Sequence, residues 1–190
     1  MKLSNLSFTA MLVAVAGSAM LAQAPAAQAP AAKAPAGAAT AEIKGEGIAG
    51  TLTLSERKQG TATVVEYTIQ VKGLKPGMHG VHLHAVGKCE PDFAAAGGHF
   101  DPGPAGNMDP DANHPFHMGD IPNLEVGANG IGSSKGVTTR VTLSDGPLSL
   151  FDADGSAIII HANPDQGITG EPKSGVSGGP RIACGVINRK

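Results

Sequence analysis

The chain has no tryptophan, one tyrosine and five phenylalanines among its 190 residues. Aromatic rings are the platforms on which single-stranded bases stack, and here they are almost absent. Lysine and arginine number 14 against 16 acidic residues, and they form no basic stripe. Nucleic acid is therefore excluded as a partner. Helical periodicity is missing too, because apolar residues do not recur at alternating three- and four-residue spacing. No apolar run is long enough for a membrane span, the best being Phe8 to Leu21. Cysteine is scarce, with only Cys89 and Cys184.

That apolar run follows Lys2 and leads into small residues around Ala19 to Ala24, which is the pattern of a secretory leader over residues 1–22. No cysteine stands near the cleavage region to take a lipid, so an exported protein, periplasmic or secreted, is expected. Residues 23–40 are nearly all Ala, Pro and Gln and read as an extended, disordered linker. Residues 41–190 suffice for one domain that buries roughly 68–70% of its unfolded surface. In an oxidising compartment an even cysteine count favours one disulfide, the alternative being two free buried thiols.

Short Val/Ile/Thr-rich runs bounded by glycine turns fill the domain and predict an all-β fold. Alternation places strands over Ile43–Leu54 and Thr61–Val71, joined by a hairpin turn at Glu56–Gly60. After the Lys75-Pro76-Gly77 turn comes a strand holding Val81-His82-Leu83-His84. From Cys89 to about Asn123 the chain is rich in Gly, Pro and Asp, a loop too long to be structureless without a function. Strands resume at Ile121–Val126, Gly136–Leu143, Ser149–Phe151 and Ala157–His161. A second glycine-rich loop, Pro164–Gly179, precedes a closing strand, Arg181–Ile187. Regular strands with two long loops suggest an antiparallel Greek-key sandwich or barrel of immunoglobulin-like architecture, with its function on the loops.

His82 and His84 lie two apart on a strand, so both imidazoles leave the sheet on one side about 7 Å apart. That suits two nitrogens converging on a metal, although a wet strand face can look the same. Four further histidines, His99, His114, His117 and His161, and Asp120 fall on strand ends or within the first loop. Together, Gly80-Val81-His82-Leu83-His84, Gly98-His99-Phe100-Asp101-Pro102, His117-Met118-Gly119-Asp120, Ile159-Ile160-His161 and Gly179-Pro180-Arg181-Ile182-Ala183-Cys184-Gly185 resemble the copper/zinc superoxide dismutases. The likeness runs in order from about Ala41 to the C-terminus, and it includes the placing of both cysteines.

The resemblance implies that His82, His84, His99 and His161 ligate copper, a set of four nitrogens that suits Cu(II). It implies that His99 is shared between copper and zinc, that His117 and Asp120 complete the zinc side, and that Cys89 pairs with Cys184. It further implies that Arg181 attracts the small superoxide anion, with Lys173 and Glu171 shaping the same field. The activity implied is disproportionation to dioxygen and hydrogen peroxide, with a proton held at His99. One family zinc histidine is missing, since the corresponding positions hold Asn107 and Met108. His114 is the candidate replacement, because His99, His114, His117 and Asp120 would give zinc four ligands. Asp165 matches the carboxylate that links a copper histidine to a zinc histidine, a role that fixes ring orientation. His79 falls on the opposite strand face and reads as structural. A homodimer is among the family's assemblies. The competing class is a non-catalytic periplasmic copper carrier on the same fold, which would need no anion-guiding arginine.

Overall fold

The computed structural model describes residues 37–103 and 106–190, so the expected leader and most of the expected linker lie outside the described residues. The strands are β1 (Gly37–Gly45), β2 (Ile48–Gln59), β3 (Ala62–Lys72), β4 (Gly77–His79), β5 (Val81–His84), β6 (Leu124–Val126), β7 (Ile131–Thr138), β8 (Ala157–His161), β9 (Arg181–Val186) and β10 (Asn188–Arg189). A single 3-10 turn, Phe93–Ala96, is the one helical element among the described residues.

All described strands join one antiparallel sheet in the order β4-β6-β7-β3-β2-β1-β9-β8-β5, with β10 beside β1. The two ends of that order are the same stretch of chain. β4 pairs with β6, β5 pairs with β8, and only Gly80 separates β4 from β5. The sheet therefore nearly closes into a barrel, and its seam is the strand that holds His82 and His84. Alternate residues such as Leu52, Leu54, Val65, Ile69, Val81, Leu83, Ile158 and Ile160 fill the interior. A smaller cluster of Ala96, Ala157, Ile159 and Cys184 lies outside it, so β8 is apolar on both faces.

The all-β class holds, while several boundaries move. The expected strand Ile43–Leu54 is two strands reversing at Glu46-Gly47, where Gly47 takes φ 69°. β2 and β3 run further toward each other than expected, leaving Gly60-Thr61 as the turn, so Glu56 is strand rather than loop. β1 begins at Gly37, so residues 37–40 of the expected linker are strand, and Ala39 is fully buried. The strand expected over Gly136–Leu143 is displaced to Ile131–Thr138, because Gly130 at φ 73° closes a turn with Gly127 immediately before it. Ser149–Phe151 is not a strand and contributes one bridge, from Ser149 to Thr142.

Glu56 continues the inward row of Leu52 and Leu54 on β2 and is 1% exposed. Its Oε2 accepts from Leu143 N at 2.5 Å and Ser144 N at 2.9 Å, which ties the segment after β7 over the barrel end. Burial opposes the charge, yet these backbone donors outweigh it and hold the carboxyl below its usual value. A depressed carboxyl stabilises the fold in full above its unfolded value near ~4.3, and the contribution is lost as pH falls through the folded value. Glu56→Ala is expected to lower the unfolding free energy at pH 7 by about 1–3 kcal/mol, leaving the buried Leu143 N unpaired and Ser144 N without its carboxylate. Denaturant titrations should show this gap to wild type narrowing below about pH 4.

Cys89 and Cys184 are joined, with Cα atoms 5.8 Å apart and a sequence separation of 95. Closing so long a loop contributes up to ~4–5 kcal/mol in the chain-entropy model. Replacing both cysteines by serine should lower the denaturant midpoint accordingly, without loss of the strand signal in circular dichroism.

Candidate metal centre

β5 is buried at all four positions, so its outward face is not wet. One edge of β5 pairs with β8; the other takes up the first long loop. Leu83 N donates to Gly119 O at 2.9 Å, Phe100 N to Leu83 O at 2.9 Å, and Gly119 N to Phe100 O at 2.8 Å. Bridges His82–Asp120 and His84–His99 extend this pairing, and they bring His99 and Asp120 onto the strand of His82 and His84. His161 arrives from the end of β8, whose neighbour is β5.

β8 and β9 shift register between Ile160 and His161. Ile160 faces Ala183, but His161 faces Arg181, with Ile182 the extra residue. Such a bulge re-aims a side chain, and here it sets Arg181 opposite His161. The Arg181 guanidinium is anchored to Phe93 O at 2.7 Å and to Gly97 O at 2.6 Å. Both acceptors lie in the loop that the disulfide holds to β9.

His82, His84, His99 and His161 form one group whose candidate ligand atoms lie within 4.8 Å of one another. Each ring is pinned by one nitrogen. His82 Nε2 meets Asp165 Oδ2 at 3.1 Å and His99 Nδ1 meets Asp120 Oδ1 at 2.8 Å. His84 Nδ1 donates to Gly97 O at 3.1 Å and His161 Nδ1 to Gly179 O at 2.9 Å. The remaining atoms, His82 Nδ1, His84 Nε2, His99 Nε2 and His161 Nε2, are buried with no hydrogen-bond partner. Four orphaned imidazole nitrogens in one group fit a copper ion, which satisfies lone pairs that no donor reaches. Burial pushes His82 down to about 3 and His161 to about 4, and lowers His84 and His99 as well. All four are therefore neutral at physiological pH, the state a ligand requires.

Asp120 gathers a second set. His99 Nδ1, His117 Nδ1 and His114 Nδ1 stand 2.8, 3.0 and 3.3 Å from its carboxylate oxygens. Three ring nitrogens converging on one carboxylate fit zinc, with three imidazoles and one oxygen as a tetrahedral set. The donors on this side that lie within 4.8 Å of one another are His82, His99, His114 and Asp120, with His117 outside the group. His82 has no nitrogen to spare, however, since Nε2 meets Asp165 and Nδ1 is one of the four orphans above. Burial opposes charge on His114, but Asp120 and Asp165 outweigh it and raise the ring to about 9. His117 is raised for the same reason, again chiefly through Asp120. Asp120 and Asp165 are held well below the usual carboxylate range by those histidines, against burial.

Asp165 links the two sets, its Oδ2 to His82 and its Oδ1 to His114 Nε2 at 2.6 Å. His114 thus stands where the missing histidine was expected to meet Asp165, and it is fully buried rather than a surface imidazole. His79 is also buried; its Nδ1 and Nε2 face the carbonyls of His161 and Lys75 at 2.7 and 2.9 Å, so neither nitrogen points into the metal groups.

Two supports were not singled out from the sequence. The Asn123 side chain holds Asp165 through both backbone N and O, at 2.9 and 2.8 Å. Arg140 donates to His117 O at 3.1 Å and to Pro115 O at 3.5 Å. Both contacts join segments distant in sequence, so no local motif announces them. A cavity of about 240 Å³ opens over His161, lined by Arg181, Lys173, Asp109 and Asp111.

Residues 48–187 match the family described as copper/zinc superoxide dismutase (SODC). A Cu-Zn superoxide dismutase of Caulobacter vibrioides is 41% identical over 157 residues, covering 78% of this chain and 84% of that protein. Cu-Zn superoxide dismutase 2 of Brassica juncea is 38% identical over 146 residues, covering 75% of this chain and 90% of that one. Among solved structures, the clock protein EA4 is similar, with a TM-score of 0.67 at 27% identity over 82% of this chain and 96% of that chain.

Proposed function

Because the chain belongs to the copper/zinc superoxide dismutase family, we propose that His82, His84, His99 and His161 hold the copper at which it disproportionates superoxide. The observation that supports this assignment is the set of four orphaned nitrogens, one on each ring. Copper bound there would supply the one-electron redox chemistry that disproportionation of two superoxide anions requires. The zinc set is proposed as His99, His114, His117 and Asp120, with Asp165 holding His82 and His114 in orientation.

His99 is the residue common to both sets. Its Nδ1 stays with Asp120, while Nε2 is buried and unpaired in the first group. Nε2 is therefore the atom that would carry a proton whenever it is released from copper, and would give that proton to the departing peroxide as the nitrogen returns to the metal. Arg181 binds the anion at the mouth; its anchors on Phe93 O and Gly97 O fix the guanidinium beside His161. Walls of buried histidine and backbone keep bulk water from the ring nitrogens.

A disulfide fits an oxidising compartment. Export to the periplasm or outside, with residues 1–22 as a cleaved leader and the Ala/Pro-rich segment as a tether, is proposed from the sequence pattern. A homodimer is proposed from family membership and would be read by sedimentation equilibrium.

For His114→Ala, elemental analysis after loading with both metals and dialysis should show copper kept near one per chain and zinc lost. Zinc retained at full stoichiometry in that variant would remove His114 from the set. For Arg181→Gln, kcat/KM for superoxide should fall by about tenfold or more, with a flatter dependence on ionic strength. Unchanged kcat/KM and salt slope would return Arg181 to a structural role. Copper bound by wild type without any superoxide consumption would leave only the carrier.

A further inference from the structure

Asp111 takes part in neither metal set, yet it is 3% exposed and both of its carboxylate oxygens are occupied. Oδ2 accepts from Gly175 N at 2.8 Å, and Oδ1 accepts from Ser177 N at 3.0 Å and Ser177 Oγ at 2.8 Å. Its backbone oxygen accepts from Gly170 N at 2.9 Å. Every one of these donors lies in the second long loop, whereas Asp111 belongs to the first, between His99 and His114. Hydrogen bonds to an ionised acceptor are about twice as strong as neutral ones, so this is a firm tie between loops.

Between the Gly170 and Gly175 anchors the chain makes a tight turn, closed by Ser174 N to Glu171 O at 3.0 Å. Lys173 sits in that turn at φ 66°, a left-handed conformation that a non-glycine residue keeps only where its surroundings impose it. Lys173 lines the mouth cavity together with Arg181 and His161. Asp111 therefore grips the chain on both sides of the one lysine that shares the mouth with Arg181.

We propose that Asp111 is a positioning residue for superoxide capture, bracing the two loops across the mouth so that Lys173 is held beside Arg181. This rests on the dismutase reading of the same site. Without the brace the turn is free to swing, and the Lys173 ammonium spreads its charge away from the opening. Asp111 also lines the mouth and adds its own charge there, but its positioning role runs through Lys173.

A double-mutant cycle on the copper- and zinc-loaded full chain tests this. Superoxide kcat/KM would be measured at low and near-physiological ionic strength for wild type, Lys173→Gln, Asp111→Ala and the double variant, with metal content read in parallel. Lys173→Gln should cost on the order of threefold at low salt in the wild-type background, as one cation of a steering field. In the Asp111→Ala background the same change should cost almost nothing, and the salt slope should already be flattened. Removal of the Asp111 charge cancels, because each comparison is made at fixed residue 111. Equal factors for Lys173→Gln in both backgrounds would overturn the proposal. Should Asp111→Ala lose metal, Asp111→Asn, which keeps an acceptor for Ser177 but sets an amide N–H2 against Gly175 N and so loosens the turn beside Lys173, repeats the cycle, and equal factors there overturn it too. Wild type that consumes no superoxide would instead undo the dismutase reading.

Discussion

A buried imidazole has two nitrogens, and each must either find a partner or pay the full cost of desolvation. All seven histidines of this chain are buried, and their arrangement obeys that constraint. His79 settles it with two carbonyls and is finished as a structural residue. His82, His84, His99 and His161 settle one nitrogen each and leave the other open toward a common group. Much of the remaining architecture provides the first partner. Carbonyls of Gly97 and Gly179 come from the two long loops, and carboxylates come from Asp120 and Asp165.

The centre has two electrostatic halves with His99 common to both. On one side, burial keeps four rings neutral. On the other, Asp120 and Asp165 favour positive charge at His114 and His117, a charge that a zinc ion would supply in place of their protons. The halves differ in the company each ring keeps rather than in depth, since His82 and His114 are equally inaccessible and both touch Asp165. A single carboxylate thus couples the orientation of rings on the two sides. Asn123 fixes that carboxylate through its backbone, so the coupling extends to the start of β6.

The period-two alternation around Val81 to His84 made the seam strand legible, and five short motifs in series made the ligand set legible. His114 could be named as a candidate because, with His99, His117 and Asp120, it would give zinc four ligands. Its partnership with Asp165 could not be read, since 51 residues separate them. Glu56 looked like turn because a charge next to Arg57 and Lys58 normally marks solvent, whereas its oxygens meet backbone donors 87 and 88 residues away. The first turns of β1 escaped notice because alanine and glycine carry no polar–apolar alternation. The bulge at Ile182 was equally invisible; parity along β9 predicts the wrong residue opposite His161, and only strand pairing reveals Arg181 there.

The seam at Gly80 ties the barrel's closure to the centre's occupancy. The stretch that pairs with β6 in its first half and β8 in its second joins the two ends of the sheet directly through Gly80. Its second half also provides two of the four rings in the first group. A ligand that gathers those rings favours the folded state by mass action, and that gain falls directly on the clasp of the barrel. Amide exchange at Val81 and Leu83 would then report loading as slowed opening of the clasp, making the barrel itself the indicator of what its loops contain.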